Sequence, residues 1–291
     1  MYHMIYDFWK DLLRKGIAED GAPWDWTTLG VREGSHQNLK AKIIAKSKGI
    51  WAAATLVEAT RHLRPELQIQ SLLADGDVFS PQQVLVEFEG PVGILLAVER
   101  PFLNLAALSS GIATQTQCVV EQVKKVCPEE TPRVCLTRKT LPGYRDLSIH
   151  AVRIGGGYPH RVSLSGGVLI KENHIAAAGG IAQAIEGARR VAPHGLKIEV
   201  EVRDLKELQE AISARGESVM LDNFTPSQVQ EALKILKKNA PHILVEISGG
   251  LNQENISHYA LPGVHVLSVG ALTHSVRSSD LSFLIVDSFD G

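Results

Sequence analysis

From Arg133 to Val269 the chain repeats one pattern, a short β-branched apolar run followed by an amphipathic stretch. The runs are Arg133–Thr137, Gly167–Ile170, Lys197–Val202, Ser218–Leu221, Ile243–Ile247 and Val264–Val269. Helical segments at Ile181–Val191, Leu205–Ala214, Pro226–Lys238 and Glu254–Ala260 separate the later runs. Repeated βα units predict a parallel sheet covered by helices, with right-handed crossovers. Such a sheet closes as a barrel or stays open and doubly wound. Six runs fall short of the eight strands of a complete barrel, which leaves an incomplete α/β barrel as one form of closure.

The first third has a different texture. Asp7–Ala18 reads as an amphipathic helix, Lys40–Ile44, Val84–Phe88 and Ile94–Val98 as strands, and Ala52–Arg61 as a helix. That mixture predicts a separate α+β domain ending near residue 110. A long helix from Leu103 to Val126 is expected to bridge it to the repeated units. The 291 residues are enough for two such domains.

Composition excludes more than it assigns. The net charge of −2 gives no global pull toward nucleic acid or a membrane surface. Cys118, Cys127 and Cys135 are odd in number and lack paired spacing, so they predict neither a disulfide framework nor a zinc site. No signal peptide is read at the N-terminus, and no run approaches the ~20 apolar residues of a membrane helix. A reducing cytoplasm is the default reading.

The informative residues sit where the runs end. Arg133–Thr137 leads into Arg138 and Lys139, and Gly167–Ile170 ends at Lys171. Glu199 and Glu201 lie near the end of the third run, and Asp222-Asn223 close the fourth. Ser248, Gly249 and Gly250 follow the fifth, and Gly270 follows the sixth. In a parallel sheet these ends share one rim, where barrel enzymes place their active sites. Arg and Lys there suit carboxylates and phosphates. Glu201 and Asp222 suit a magnesium ion or ribose hydroxyls. Glycine-rich turns after the late strands suit a phosphate. The set points to a phosphorylated sugar, a metal and an anionic second substrate.

Each element alone has a plainer reading. Arg138-Lys139 reads as a solvated turn, and Glu201 and Asp222 as caps of the following helices. Gly155-Gly156-Gly157 follows no clear strand, which excludes a dinucleotide-binding fingerprint. His160, His174 and His274 lack the spacing of a zinc site on one helix. No nucleophile–base pair stands out, so covalent catalysis is not expected.

A series of motifs then resembles the quinolinate phosphoribosyltransferase family. ERPFLNLAALSSGIAT (Glu99–Thr114), TRKTLPGYR (Thr137–Arg145), GGGYPHR (Gly155–Arg161) and LIKENHIAAAGG (Leu169–Gly180) come first. EVEV (Glu199–Val202), LDNFTP (Leu221–Pro226), ISGG (Ile247–Gly250) and SVGALTHS (Ser268–Ser275) follow in the family's order. The resemblance implies an N-terminal α/β sandwich over 1–110, an open TIM-like barrel over 111–275, and a segment, 276–291, that returns to the first domain. It implies the conversion of quinolinate and phosphoribosyl pyrophosphate to nicotinate mononucleotide, pyrophosphate and carbon dioxide, in NAD biosynthesis. Magnesium accompanies the ribosyl donor, and no organic cofactor is needed. Homodimers or dimer-based hexamers share sites across subunits, with Arg100 as the borrowed residue. By the same resemblance Arg138, His160, Arg161 and Lys171 hold the quinolinate carboxylates, and Lys139 and Lys171 lie near the phosphoribosyl pyrophosphate. Glu201 and Asp222 face ribose hydroxyls or magnesium. Lys139, Lys171, Glu201 and Asp222 form the implied catalytic set. Ser248, Gly249, Gly250, Gly270 and His274 surround the 5-phosphate.

Two positions depart from the pattern. Leu136 stands where many members carry Asp, and Pro159 where bacterial members usually carry Asn. The Pro-His-Arg variant also resembles a sister family found with molybdenum-transport genes, but KENH (Lys171–His174) and SVGALTH match the transferase better. A non-catalytic phosphate or nucleotide binder is the third reading, and the retention of Lys139, Lys171, Glu201 and Asp222 speaks against it.

Overall fold

The computed structural model describes residues 2–21, 24–31 and 37–286. In chain order the first elements are α1 (Tyr2–Glu19), α2 (Trp26–Val31), β1 (Asn38–Ala45), β2 (Gly49–Ile50) and α3 (Ala54–Leu63). Next come β3 (Gln68–Ser71), β4 (Val78–Phe79), β5 (Val84–Pro91), α4 (Val92–Val126), β6 (Arg133–Cys135) and α5 (Arg145–Ile154). The repeated region follows with β7 (Val168–Ile170), α6 (Glu172–Ala178), α7 (Ile181–Val191), β8 (Ile198–Val202), α8 (Leu205–Ser213), β9 (Ser218–Asp222) and α9 (Pro226–Asn239). The last are β10 (Leu244–Ser248), β11 (Val266–Ser268), α10 (Ala271–His274) and β12 (Leu281–Val286).

Two compact units emerge. The first takes Met1–Thr116, Pro142–Gly156 and Val276–Gly291, and the second takes Gln117–Leu141 and Gly157–Ser275. Residue 110 falls inside α4, which begins in the first unit and ends in the second.

The first unit carries an antiparallel sheet in the order β12-β1-β5-β3. β12, from the far end of the chain, pairs with β1 from Lys40↔Val286 to Ala45↔Leu281. The tail beyond, 287–291, lies outside the described residues. Trp9, Trp51, Phe79, Phe88 and Phe102 are fully buried here. At roughly 25 cal/mol per Å² of apolar surface, such large side chains dominate the stabilisation of a small core.

Ile94–Val98 is helix, not strand, and lies in the first turns of α4. Short apolar runs have no decisive periodicity of their own, and here Pro91 ends β5 and the run coils instead. α4 is also long and apolar enough to cross a membrane by length and composition, with a window of mean hydropathy 1.4. Yet 44% of that window is buried inside the protein. Ser109 Oγ donates to the carbonyl of Ala52 at 2.6 Å, and Ser110 Oγ accepts from the N–H of Ala52 at 3.3 Å. α4 is a core helix of the first unit along that stretch.

The second unit holds a six-stranded parallel sheet, β6-β11-β10-β9-β8-β7. Its strands form an open, incomplete α/β barrel, ending at β6 and β7. All six expected runs are strands, shorter by a residue or two at some ends. The helices are set by local signals. Thr225 and Gln228 form a capping box on α9 with Pro226 in its first turn, and Asp204 accepts from the N–H groups of Lys206 and Glu207 at the start of α8. Glu254–Ala260 is not an α-helix: only Ile256–His258 makes a 3-10 turn. Asn252 Oδ1 accepts from the N–H groups of Glu254 and Asn255, a local turn that competes with a helix, and Leu261-Pro262-Gly263 closes the segment.

Candidate active site

Strand alternation gives the second unit one apolar face and one polar face. In β8, Ile198, Val200 and Val202 are buried aliphatics, and Glu199 and Glu201 take the other parity. In-register neighbours share a face. Glu199 pairs with Ser218, Glu201 with Met220, Met220 with Glu246, and Asp222 with Ser248. Cys135 pairs with Ser268 on the same side. Glu199, Glu201, Asp222, Glu246, Ser248 and Ser268 therefore line one surface of the sheet.

Deep in that surface His160 meets two carboxylates. Its Nε2 lies 3.1 Å from Glu246 Oε2 and 3.5 Å from Glu199 Oε2. Ser268 Oγ donates to Glu246 Oε1 at 2.6 Å, and Ser218 Oγ donates to Glu199 Oε1 at 2.9 Å. Burial works against charge on the imidazole, but the two carboxylates outweigh it and raise its pKa to about 9. Burial raises the Glu246 carboxyl, and the His160 contact opposes that rise. The Cys135 thiol is pushed up to about 12, first by burial and then by Glu246.

Arg161 follows His160 in sequence, and its Nη1 donates to the carbonyl of Gly167 at 3.2 Å. Burial and then the Arg138 charge lower its pKa. The two guanidiniums are held close enough to repel. Arg138 Nε is buried and makes no hydrogen bond. An acceptor-only ligand such as a carboxylate satisfies both conditions.

The remaining predicted residues gather along the strand ends. Lys171 Nζ forms an ion pair with Glu201, linking the ends of β7 and β8. The Lys171 N–H donates to His174 Nδ1 at 3.0 Å, which fixes the start of α6. Asn223 Nδ2 donates to the Asp222 carboxylate at 2.6 Å, and the Asn223 N–H donates to the Ser248 carbonyl at 2.9 Å. Gly249 and Gly250 adopt positive φ, 94° and 63°. A Cβ on Gly270 would lie 2.9 Å from His274 Nε2 and 3.5 Å from Lys139 Cδ, so this glycine makes room for both. Thr273 Oγ1 donates to the Lys139 carbonyl at 2.8 Å.

The structure thus brings Arg138 and Arg161 together, His160 with Glu199 and Glu246, Lys171 with Glu201, Asp222 with Ser248 and Gly249, and Lys139 with Gly270 and His274. Arg100 belongs to the first unit, on α4. Its side chain is 63% exposed and lies 3.9 Å from Glu99.

Glu246, Ser268, Asn223 and Thr273 were absent from the expected site. A signal for Glu246 exists: it is a charge inside ILVEIS, two residues before Ser248 and thus on the same face. The two departures from the family pattern have structural accounts. Leu136 is 3% exposed and packs in the apolar interior. Tyr158 runs beside β6, taking a bond to the Val134 carbonyl and accepting one from the Leu136 N–H. The next residue's N–H is not used in that ladder, so Pro159 removes no bond.

The chain matches the family models for the quinolinate phosphoribosyl transferase C-terminal domain over residues 112–284 and N-terminal domain over 25–110. A Bacillus subtilis protein named probable nicotinate-nucleotide pyrophosphorylase [carboxylating] is 41% identical over 94% of this chain and 92% of its own length. A human nicotinate-nucleotide pyrophosphorylase [carboxylating] is 35% identical over 93% of this chain and 89% of its own. The solved structure of the nicotinate-nucleotide pyrophosphorylase from Francisella tularensis superposes with a TM-score of 0.87 at 33% identity, covering 97% of both chains.

Proposed function

The chain belongs to the quinolinate phosphoribosyltransferase family, and on that premise we propose that it joins quinolinate to phosphoribosyl pyrophosphate, giving nicotinate mononucleotide, pyrophosphate and carbon dioxide in NAD biosynthesis. The observation that carries the reading at the site is the pair of repelling guanidiniums, with Arg138 Nε buried and unbonded. A dicarboxylate bound bidentately relieves both conditions.

The chemistry asks for position more than for a strong nucleophile. The quinolinate ring nitrogen is electron-poor, so the ribose C1–O bond to pyrophosphate breaks largely before the C1–N bond forms, and the electron pair leaves on the pyrophosphate oxygen. Arg138, His160, Arg161 and Lys171 would hold the carboxylates and aim the nitrogen. Lys139 would stabilise charge on the departing pyrophosphate. The alkylated nitrogen is cationic and accepts the influence of the electron pair left at the adjacent carbon when that carboxylate departs as carbon dioxide. A proton then fills that position.

Glu201 and Asp222 stand at the ends of adjacent strands and present carboxylate oxygens, a donor set that suits magnesium together with substrate oxygens. Bound there, the ion would neutralise pyrophosphate charge. Asp222, turned by Asn223, and Glu201, held by Lys171, would otherwise accept the ribose hydroxyls. Exposed Arg100 supports a site completed by a second copy of the chain, as a homodimer or an assembly of dimers. Substrates this highly charged are made and used inside cells, which supports a cytoplasmic location.

The test is nicotinate mononucleotide formation from quinolinate, phosphoribosyl pyrophosphate and magnesium, with nicotinate as the control acceptor. Turnover with quinolinate alone is expected. Turnover with nicotinate, or with neither, overturns the reading.

A further inference from the structure

His160 is the one member of the cationic cup that needs help to stay charged. An arginine keeps its proton at any ordinary pH, whereas a buried imidazole is pushed to lose its own. Against His160 stand Glu199 and Glu246. Both reach the same nitrogen, Nε2. No protein group among the described residues bonds to Nδ1, which leaves that N–H for a ligand.

We propose that Glu246, assisted by Glu199, is a positioning residue that fixes the orientation and proton of His160 so that its Nδ1–H is presented to a quinolinate carboxylate. The inference rests on the reading of His160 as a carboxylate-binding residue.

The arrangement is built rather than incidental. Glu246 is almost fully buried inside β10, a place where a carboxylate is costly unless every oxygen is used. One oxygen accepts from Ser268 on β11, and the other meets His160. Glu199 repeats the pattern, with Ser218 on β9 holding one oxygen and His160 near the other. Each serine locks a carboxylate rotamer, and the two locked carboxylates leave the imidazole one orientation. A ring held by a carboxylate on one nitrogen and free on the other is the arrangement that sets a tautomer or a charge. A metal ion among the three would have to replace the His160 proton that both carboxylates now accept. The groups that bear on the His160 charge are Glu199 from β8 and Glu246 from β10, which together outweigh burial.

The experiment compares full-length Glu246→Gln, His160→Asn and the double variant, by steady-state kinetics and by calorimetric titration with quinolinate. The amide keeps the size of Glu246 and its bond from Ser268. The expected result for Glu246→Gln is a rise of about ten-fold or more in KM and Kd for quinolinate. The KM for phosphoribosyl pyrophosphate is expected to stay within about two-fold. The alkaline limb of kcat/KM for quinolinate should move to lower pH. Because Glu246 acts through His160, the double variant should bind quinolinate no worse than His160→Asn alone. A merely structural Glu246 would instead give additive losses and an unmoved pH profile, and that outcome overturns the proposal. If Glu246→Gln does not fold, Glu199→Gln carries the same test in the same direction. Should His160→Asn itself leave the Kd for quinolinate unchanged, the carboxylate-binding reading fails. Should His160→Asn weaken binding while both Gln variants do not, only the positioning role fails.

Discussion

Asn223 sits in the left-handed backbone region, φ 56°, directly against Gly249, whose own φ is 94°. A methyl group on Gly249 would overlap the Asn223 side-chain oxygen and lie 2.7 Å from the Asn223 nitrogen. The two residues hold each other in conformations that most side chains reject. Asn223 also turns the Asp222 carboxylate, so strain at Gly249 is relayed to a proposed ribose-binding group. Gly249→Ala is expected to lose about 100-fold or more in kcat/KM while costing on the order of 1–3 kcal/mol in stability. Kinetics beside a melting curve check this. Normal activity in Gly249→Ala would mean the turn is not part of the site.

The Lys171–Glu201 pair gives a second expectation. Glu201 is nearly buried and Lys171 is 45% exposed, so removing the lysine strands a carboxylate while removing the carboxylate frees a cation. Lys171→Met should therefore cost more stability than Glu201→Gln. Both should lower kcat, on the order of 100-fold each, because each faces a different part of the proposed reacting pair. Differential scanning calorimetry and single-turnover kinetics separate the two effects. Equal melting temperatures for the two variants would argue against the pair as drawn.

The rim was legible because strands and helices alternate with clear periodicity, and a charge after an apolar run marks a strand end. Lys171, Glu201 and Asp222 were all found in that way. Glu246 is not marked in that way, because it lies inside β10 and not at its end. The phase of alternation, with Glu246 two residues before Ser248, carried the information. Ile94–Val98 failed for another reason: an apolar run has no face to read, and only its packing within α4 decides between strand and helix. Ser218 and Ser268 are invisible in sequence, since a serine announces a hydrogen bond only when its partner is known. Arg100 is legible only through the family motif; among the described residues its ion pair is with its neighbour Glu99.

The His160 cluster also predicts how stability changes with pH. Its folded-state pKa of about 9 lies above the value near 6.5 for a free imidazole. A raised group contributes its full stabilisation below the unfolded value and loses it as pH rises through the folded one. The melting temperature without substrate should fall by a few degrees between roughly pH 6.5 and 9. The fall should be smaller in His160→Gln. A flat curve in the unaltered protein would show that the imidazole is not held charged.

Subunit mixing tests whether exposed Arg100 completes a neighbour's site. Arg100 belongs to the first unit and Lys139 to the second. If a site takes Lys139 from one chain and Arg100 from its partner, Arg100→Ala and Lys139→Ala homodimers each carry two broken sites. A mixed dimer carries both lesions in one site and neither in the other. Two differently tagged chains, co-expressed and purified through both tags, should recover about half of the unaltered activity per dimer. Sites built within one chain distribute the lesions differently: every site in the mixed dimer then keeps one lesion, and activity stays at the level of the parent variants. The readout is nicotinate mononucleotide formed per mixed dimer, with mass spectrometry confirming one chain of each kind. Recovery places Arg100 across the interface. Its absence in a proven mixed dimer assigns the site to a single chain.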